Sequence, residues 1–173
     1  MNNQIFLLLI SLCIITHVVR FVYEILKHKK IIKATRLSFV IIFSNMLLLW
    51  SSWFLLCSFD PSATNLPLML RYFGISLAVI GVIIFLTALF TIKTLETYTG
   101  NLITSGIYSR IRHPMYLGFI FWLIGFPLFY DGIYSIILAI PFAANVLFWR
   151  YLEELELDKR FAAYKIYKKK TFF

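Results

Sequence analysis

The sequence predicts an all-α integral membrane protein of about five transmembrane helices, the last two forming a helical hairpin. Three observations carry that reading. Of the 173 residues, 61% are hydrophobic and only 14% charged, with a mean hydropathy of +0.83. A soluble chain of this length could not cover so much apolar surface, so lipid must act as the solvent for most of it. Five apolar segments stand out, at about 5–26, 38–59, 72–92, 115–130 and 133–151. None shows the period-two alternation of a membrane β-barrel.

The first segment lacks a basic n-region and is followed by further spans, so a retained helix is expected rather than a cleaved signal. It carries a polar stripe of Cys13, His17, Arg20 and Glu24, which recur at four, three and four and so share one helical face. Two readings of the stripe stand. Arg20 snorkels beside Glu24 as an ion pair one turn away, or these ionisable groups face the interior and line a polar cavity. Cys13 and Cys57 both fall in apolar segments and read as small buried hydrophobes, not as a disulfide or metal ligands.

The second segment has Ser44, Asn45, Ser51 and Ser52 and the third has Gly74, Ala78 and Gly81, small residues that let helix backbones approach closely in lipid. The first three segments, at ~20 residues or more, are long enough to cross the hydrocarbon. The fourth and fifth are shorter and joined only by Asp131-Gly132. They read as a tight hairpin of nearly matched arms, with Pro127 and Pro141 as expected kinks.

The net charge of +9 is unevenly placed. The first connection holds Lys27, Lys29, Lys30, Lys33 and Arg36, and the third holds Lys93, Arg110 and Arg112. The tail holds Lys159, Arg160, Lys165, Lys168, Lys169 and Lys170, whereas the other side has only Arg71 with Asp60 and Asp131. The positive-inside rule then puts the N-terminus outside and the C-terminus in the cytoplasm. Residues 1–173 read as one membrane domain, with a three-helix scaffold over 1–97 and a catalytic region over 98–173.

The stretch NLITSGIYSRIRHPMYLG, residues 101–118, is polar and aromatic between apolar spans. Thr99-Gly100-Asn101 signals a turn, and Pro114 suits the first turn of the fourth helix. Arg112 and His113 therefore sit at a helix N-terminus, where free N–H groups favour an anionic group. Contact of Arg110 and Arg112 with lipid phosphates is the alternative use.

Asn101 to Tyr108 (Asn-Leu-Ile-Thr-Ser-Gly-Ile-Tyr), followed by Arg112-His113-Pro114-Met115-Tyr116-Leu117-Gly118, resembles the signature of the isoprenylcysteine carboxyl methyltransferase and phospholipid methyltransferase superfamily. Its members are integral membrane enzymes that use S-adenosylmethionine. Arg150 and Glu153-Glu154 stand where that superfamily has an arginine and a Glu-Glu pair after its last membrane helix. Phe161, Tyr164 and Tyr167 resemble the Phe-Gly and tyrosine run that follows, with Ala162 in place of the usual glycine. The resemblance covers about residues 70–170.

It implies that S-adenosylmethionine is held by Leu102, Thr104, Gly106, Tyr108, Arg112, His113, Pro114, Tyr116, Glu153 and Glu154. It also implies catalytic roles for Arg150, Arg112 and Glu154, and a hydrophobic or lipid-like acceptor entering from the bilayer. Carboxyl methylation of an isoprenylcysteine-like acid is the preferred reaction, with phospholipid amine methylation as the near alternative. A carboxylate acceptor needs no base but wants a cation, Arg150 or Arg112. An amine must first lose a proton, which His113 or a glutamate could take.

A nicotinamide-dependent reductase of the sterol type and a non-catalytic lipid-binding protein are the competing readings. Neither a metal site nor a nucleic-acid partner is expected. The expected location is the plasma or inner membrane in a prokaryote and the endoplasmic reticulum in a eukaryote, with the active site on the cytoplasmic side.

Overall fold

The computed structural model describes residues 2–33, 35–92 and 102–173. Its helices are α1 (Asn2–His28), α2 (Arg36–Ser58), α3 (Leu68–Ile92), α4 (Pro114–Tyr130), α5 (Ile133–Arg160) and the short α6 (Tyr164–Lys170), with one 3-10 turn at Gly106–Ser109. Four of them, α1, α2, α3 and α5, are long and apolar enough to cross a membrane, and α4 is a shorter apolar helix. Large apolar side chains point outward all round, among them Leu8, Phe90 and Ile140, as expected where lipid is the solvent. Lys93 and the Thr99-Gly100-Asn101 turn lie outside the described residues.

Local chemistry sets the helix ends. A capping box between Thr35 and Ser38 opens α2, satisfying backbone N–H groups that the first turn leaves bare. Pro114 opens α4 at a position where a missing N–H costs nothing. Asp131 closes α4 in the left-handed conformation, φ 65°.

Its carboxylate accepts from Thr64 Oγ1 and from the backbone N–H groups of Asn65 and Leu66. Asp60 accepts from Ser135 N at 2.7 Å and Ser135 Oγ at 2.8 Å. The two acids of this side thus tie the α2–α3 connection to the tip of the α4–α5 hairpin.

The glycines of α3 meet glycines of α4. A Cβ on Gly81 would lie 2.6 Å from the Gly118 carbonyl, and one on Gly74 would lie 2.7 Å from the Gly125 carbonyl. Both pairs repeat at seven residues on antiparallel helices, so the backbones touch along two turns. The small residues of segment three do the packing expected of them.

On the other flank, Cys13 donates to Ser52 Oγ at 3.2 Å and Asn45 Nδ2 donates to the Thr16 carbonyl at 3.1 Å, joining α1 to α2. Both cysteines are buried free thiols.

The hairpin arms are not matched, contrary to the sequence reading. α4 has 17 residues and α5 has 28. Pro127 and Pro141 both lie inside helices. α5 does not stop near 151 but runs on to Arg160, with Leu152 buried and Leu155 and Leu157 half-buried within the acidic segment. The Glu153-Glu154 pair therefore stands on the same continuous helix, not beyond it.

Candidate functional site at the basic end of the helices

The α4–α5 hairpin returns the chain so that Arg112 and His113, at the start of α4, face Glu153 and Glu154 on α5. Glu154 is the centre of this cluster. Its Oε1 lies 3.3 Å from Arg112 Nε, 3.4 Å from His113 Nε2 and 3.4 Å from Arg150 Nη2, and its Oε2 lies 2.8 Å from Lys168 Nζ. The Glu154 side chain is 13% exposed and that of Arg112 is 9% exposed, so their attraction is little screened by water. The three residues expected to be catalytic, Arg112, Arg150 and Glu154, are thus brought together, but both arginines bind Glu154.

The tail straps this cluster down. Arg112 Nη1 donates to the carbonyls of Lys168 at 3.0 Å and Thr171 at 2.7 Å. Arg112 N donates to the Phe172 carbonyl and Phe172 N to the Arg110 carbonyl, a bridge at Ile111. The Arg150 guanidinium lies 4.3 Å from the Phe173 ring centroid.

From α6, Tyr164 Oη sits 3.3 Å from His113 Nε2, and Tyr167 Oη donates to the Tyr108 carbonyl at 2.6 Å. Burial pushes the Tyr167 phenol up to about 12 and raises Tyr164 as well, so both stay protonated and able to donate. Tyr108 is raised by its burial and by nearby Glu153.

The other expected residues divide by position. Gly106 has φ 57°, a conformation that suits glycine, and it begins the 3-10 turn that presents Tyr108. Thr104 is exposed and Leu102 half-buried. Pro114 and His113 are buried. Tyr116 and Glu153 face differently, into a cavity on the other side of α5.

That cavity opens at the basic end and runs inward between α1, α2, α3, α4 and α5. Tyr116, Trp149 and Glu153 line it together with Arg20 and Glu24 of α1, the Arg20 guanidinium 5.6 Å from the Trp149 ring centroid. Its inner part is apolar, with Ile42, Met46, Trp50, Phe85 and Phe119. Lys27, His28, Glu156 and Arg160 also border it. Glu153, whose Oε2 lies 3.9 Å from His113 Nδ1 and whose side chain is 45% exposed, is the more open acid of the pair.

Both open readings of the α1 stripe hold part of the truth. Arg20 and Glu24 form an ion pair, with side chains 10% and 9% exposed, and the pair lines the cavity. More than half of the lining comes from α1, α2 and α3, the region read as scaffold. The spacing of the stripe could have revealed the α1 part. Met46 and Trp50 carried no such signal, since an apolar residue in an apolar helix reads as lipid-facing or core. Lys168 was indistinguishable within its lysine run.

The cavity's chemistry fits S-adenosylmethionine. It offers aromatic faces for an adenine, Glu153 and Glu156 for hydroxyls or an ammonium, and Arg160 for a carboxylate. Trp50 and Trp149 also have buried indole N–H groups with no hydrogen-bond partner among the described residues, donors that a polar ligand can meet.

The comparisons with known proteins bear on this end of the chain. The family model for phospholipid methyltransferase matches residues 69–164, more than half of the sequence and all but the first residue of the α3–α5 unit. A curated relative is Protein-S-isoprenylcysteine O-methyltransferase B of Arabidopsis thaliana, 33% identical over 90 residues, 47% of this chain and 43% of the relative. The chain spans less than half the length of that relative. No solved structure matches.

Proposed function

This chain belongs to the phospholipid methyltransferase family, and on that premise we propose that it transfers a methyl group from S-adenosylmethionine to a hydrophobic, lipid-like acceptor at the membrane surface. Carboxyl methylation of an isoprenylcysteine-like thioether acid is the reaction we favour. The observation that carries the reading is the wall of Tyr116, Trp149 and Glu153, set against an apolar interior that can hold a hydrocarbon chain. The name of the plant relative supports the same acceptor class. The active site faces the cytoplasm in this reading, because the bordering Lys27 and Arg160 belong to the basic side.

The cofactor, when bound, supplies a methyl carbon already activated by its sulfonium charge. The protein's task is then positioning and exclusion of water. Glu153 receives ribose hydroxyls or the ammonium, and Tyr116 and Trp149 flank the ring. Arg112, His113, Arg150 and Lys168 hold Glu154, with Tyr164 against His113, and thereby fix the helix that carries Glu153. In this division of labour Glu154 and Arg112 position the site from behind.

The test is transfer of a labelled methyl group from S-adenosylmethionine to N-acetyl-S-farnesylcysteine, beside vesicles of phosphatidylethanolamine. An alkali-labile methyl ester on the farnesylated acid is the expected product. A stable methylamine on the lipid would move the acceptor to the amine class, and transfer to neither, with no cofactor binding, would remove the methyltransferase reading.

A further inference from the structure

Building on the methyltransferase reading, we propose that α1 seats the acceptor: Arg20, oriented by Glu24, binds the acceptor's carboxylate, and the apolar interior between Ile42, Met46, Trp50 and Phe85 takes its hydrocarbon tail. The cations first expected for this task, Arg112 and Arg150, both contact Glu154. Among the described residues the cavity lining includes Arg20 but neither of those two.

An ion pair with side chains 10% and 9% exposed, in a helix long and apolar enough to span a membrane, is costly to keep. Such pairs are retained where they face a cavity and handle a ligand. The Arg20 guanidinium lies 5.6 Å from the ring centroids of both Tyr23 and Trp149, so two aromatic faces fix its plane.

A guanidinium is a planar fork of five N–H donors and can serve two carboxylates at once. Glu24, one turn along, is its ion-pair partner. Of the other charged groups on the cavity, Lys27, His28 and Arg160 are basic and Glu153 and Glu156 acidic. In this reading the acids serve the cofactor, and the acceptor meets Arg20 with its tail lying inward. An amphiphile with one acidic headgroup and one flexible apolar chain matches that polarity.

The step balances without a base. A carboxylate oxygen forms the new bond to the methyl carbon as the carbon–sulfur bond breaks. The electron pair of that bond returns to sulfur, leaving a neutral ester and a neutral thioether, and no proton moves. Arg20 then faces an uncharged ester in place of a carboxylate, so its charge-assisted hold weakens and the product is released.

The experiment uses detergent-purified full chain. Calorimetry gives the S-adenosylmethionine affinity, and methyl transfer gives KM for N-acetyl-S-farnesylcysteine, with its carboxamide as competitor. For wild type the acid should compete about ten-fold or more better than the amide. Arg20→Gln should raise the acceptor KM by about ten-fold or more and remove that discrimination, while cofactor affinity moves by less than roughly two-fold. Met46→Trp should raise the acceptor KM without restoring amide binding.

An unchanged KM in Arg20→Gln overturns the proposal. So does equal competition by acid and amide on wild type, a comparison that needs no variant to fold. Wild type that binds no cofactor instead removes the underlying reading, which keeps the two failures apart.

Discussion

Glu153 and Glu154 are adjacent in sequence and should respond in opposite ways to the same substitution. Glu154→Gln removes the charge around which Arg112, Arg150, His113 and Lys168 gather. The dominant loss is the contact with Arg112, whose side chain is only 9% exposed. Leaving a buried cation without its partner costs ~3–5 kcal/mol. Lys168, at 40% exposure, adds little, since exposed pairs contribute ~0–1 kcal/mol.

The retained amide still accepts one hydrogen bond, so about 3 kcal/mol is expected for Glu154→Gln, or ~6–12 °C in Tm for a chain of this size. Glu153→Gln, at an exposed side chain, should shift stability by about 0.5 kcal/mol or less yet weaken cofactor binding. Thermal unfolding in detergent beside cofactor calorimetry reads both. Equal Tm losses for the two variants, or a Glu154→Gln protein as stable as wild type, would refute the division between positioning and ligand-facing acid.

Other consequences follow from the same contacts. Gly81→Ala places a methyl group against the Gly118 backbone and should cost ~1–3 kcal/mol by overpacking, seen as a lower Tm. Gly106→Ala forces a side chain into the left-handed region, at ~1–2 kcal/mol, and should loosen the turn that presents Tyr108. Deletion of residues 171–173 removes the Phe172 bridge and the Thr171 contact of Arg112; amide exchange at 110–113 should then quicken, with the α3–α4 contact unaffected.

Asp131 is held below the usual carboxylate range, first by the Thr64 hydroxyl and then by backbone N–H groups. Its contribution to stability is present above the unfolded carboxylate value and is lost as pH falls through the depressed folded one. Wild type and Asp131→Asn should therefore differ in Tm at neutral pH and converge in acid.

The membrane helices were legible because five apolar runs near the thickness of a bilayer leave little choice of fold. Their ends were less so. The reach of α5 to Arg160 was hidden because Leu152, Leu155 and Leu157 are spread round the helix among acids and form no single apolar stripe. Gly74 and Gly81 announced a close helix contact, but pairing with Gly118 and Gly125 is a long-range fact that no local spacing encodes.

At the site, the residues of the Arg-His-Pro and Glu-Glu motifs were found and do converge. The roles within the pair were not readable, since which glutamate meets four basic groups depends on the rotation of α5. The cavity was hidden for a related reason. It is built across α1 to α5, and the apolar residues that shape it look like any others in a membrane helix.

The most direct measurement is calorimetric titration of S-adenosylmethionine and S-adenosylhomocysteine into the detergent-purified chain, beside Glu153→Gln. The account predicts saturable binding of both ligands by wild type, and at least a severalfold weakening in a Glu153→Gln protein of unchanged Tm. Absence of binding by folded wild type, or undiminished binding by Glu153→Gln, would contradict it.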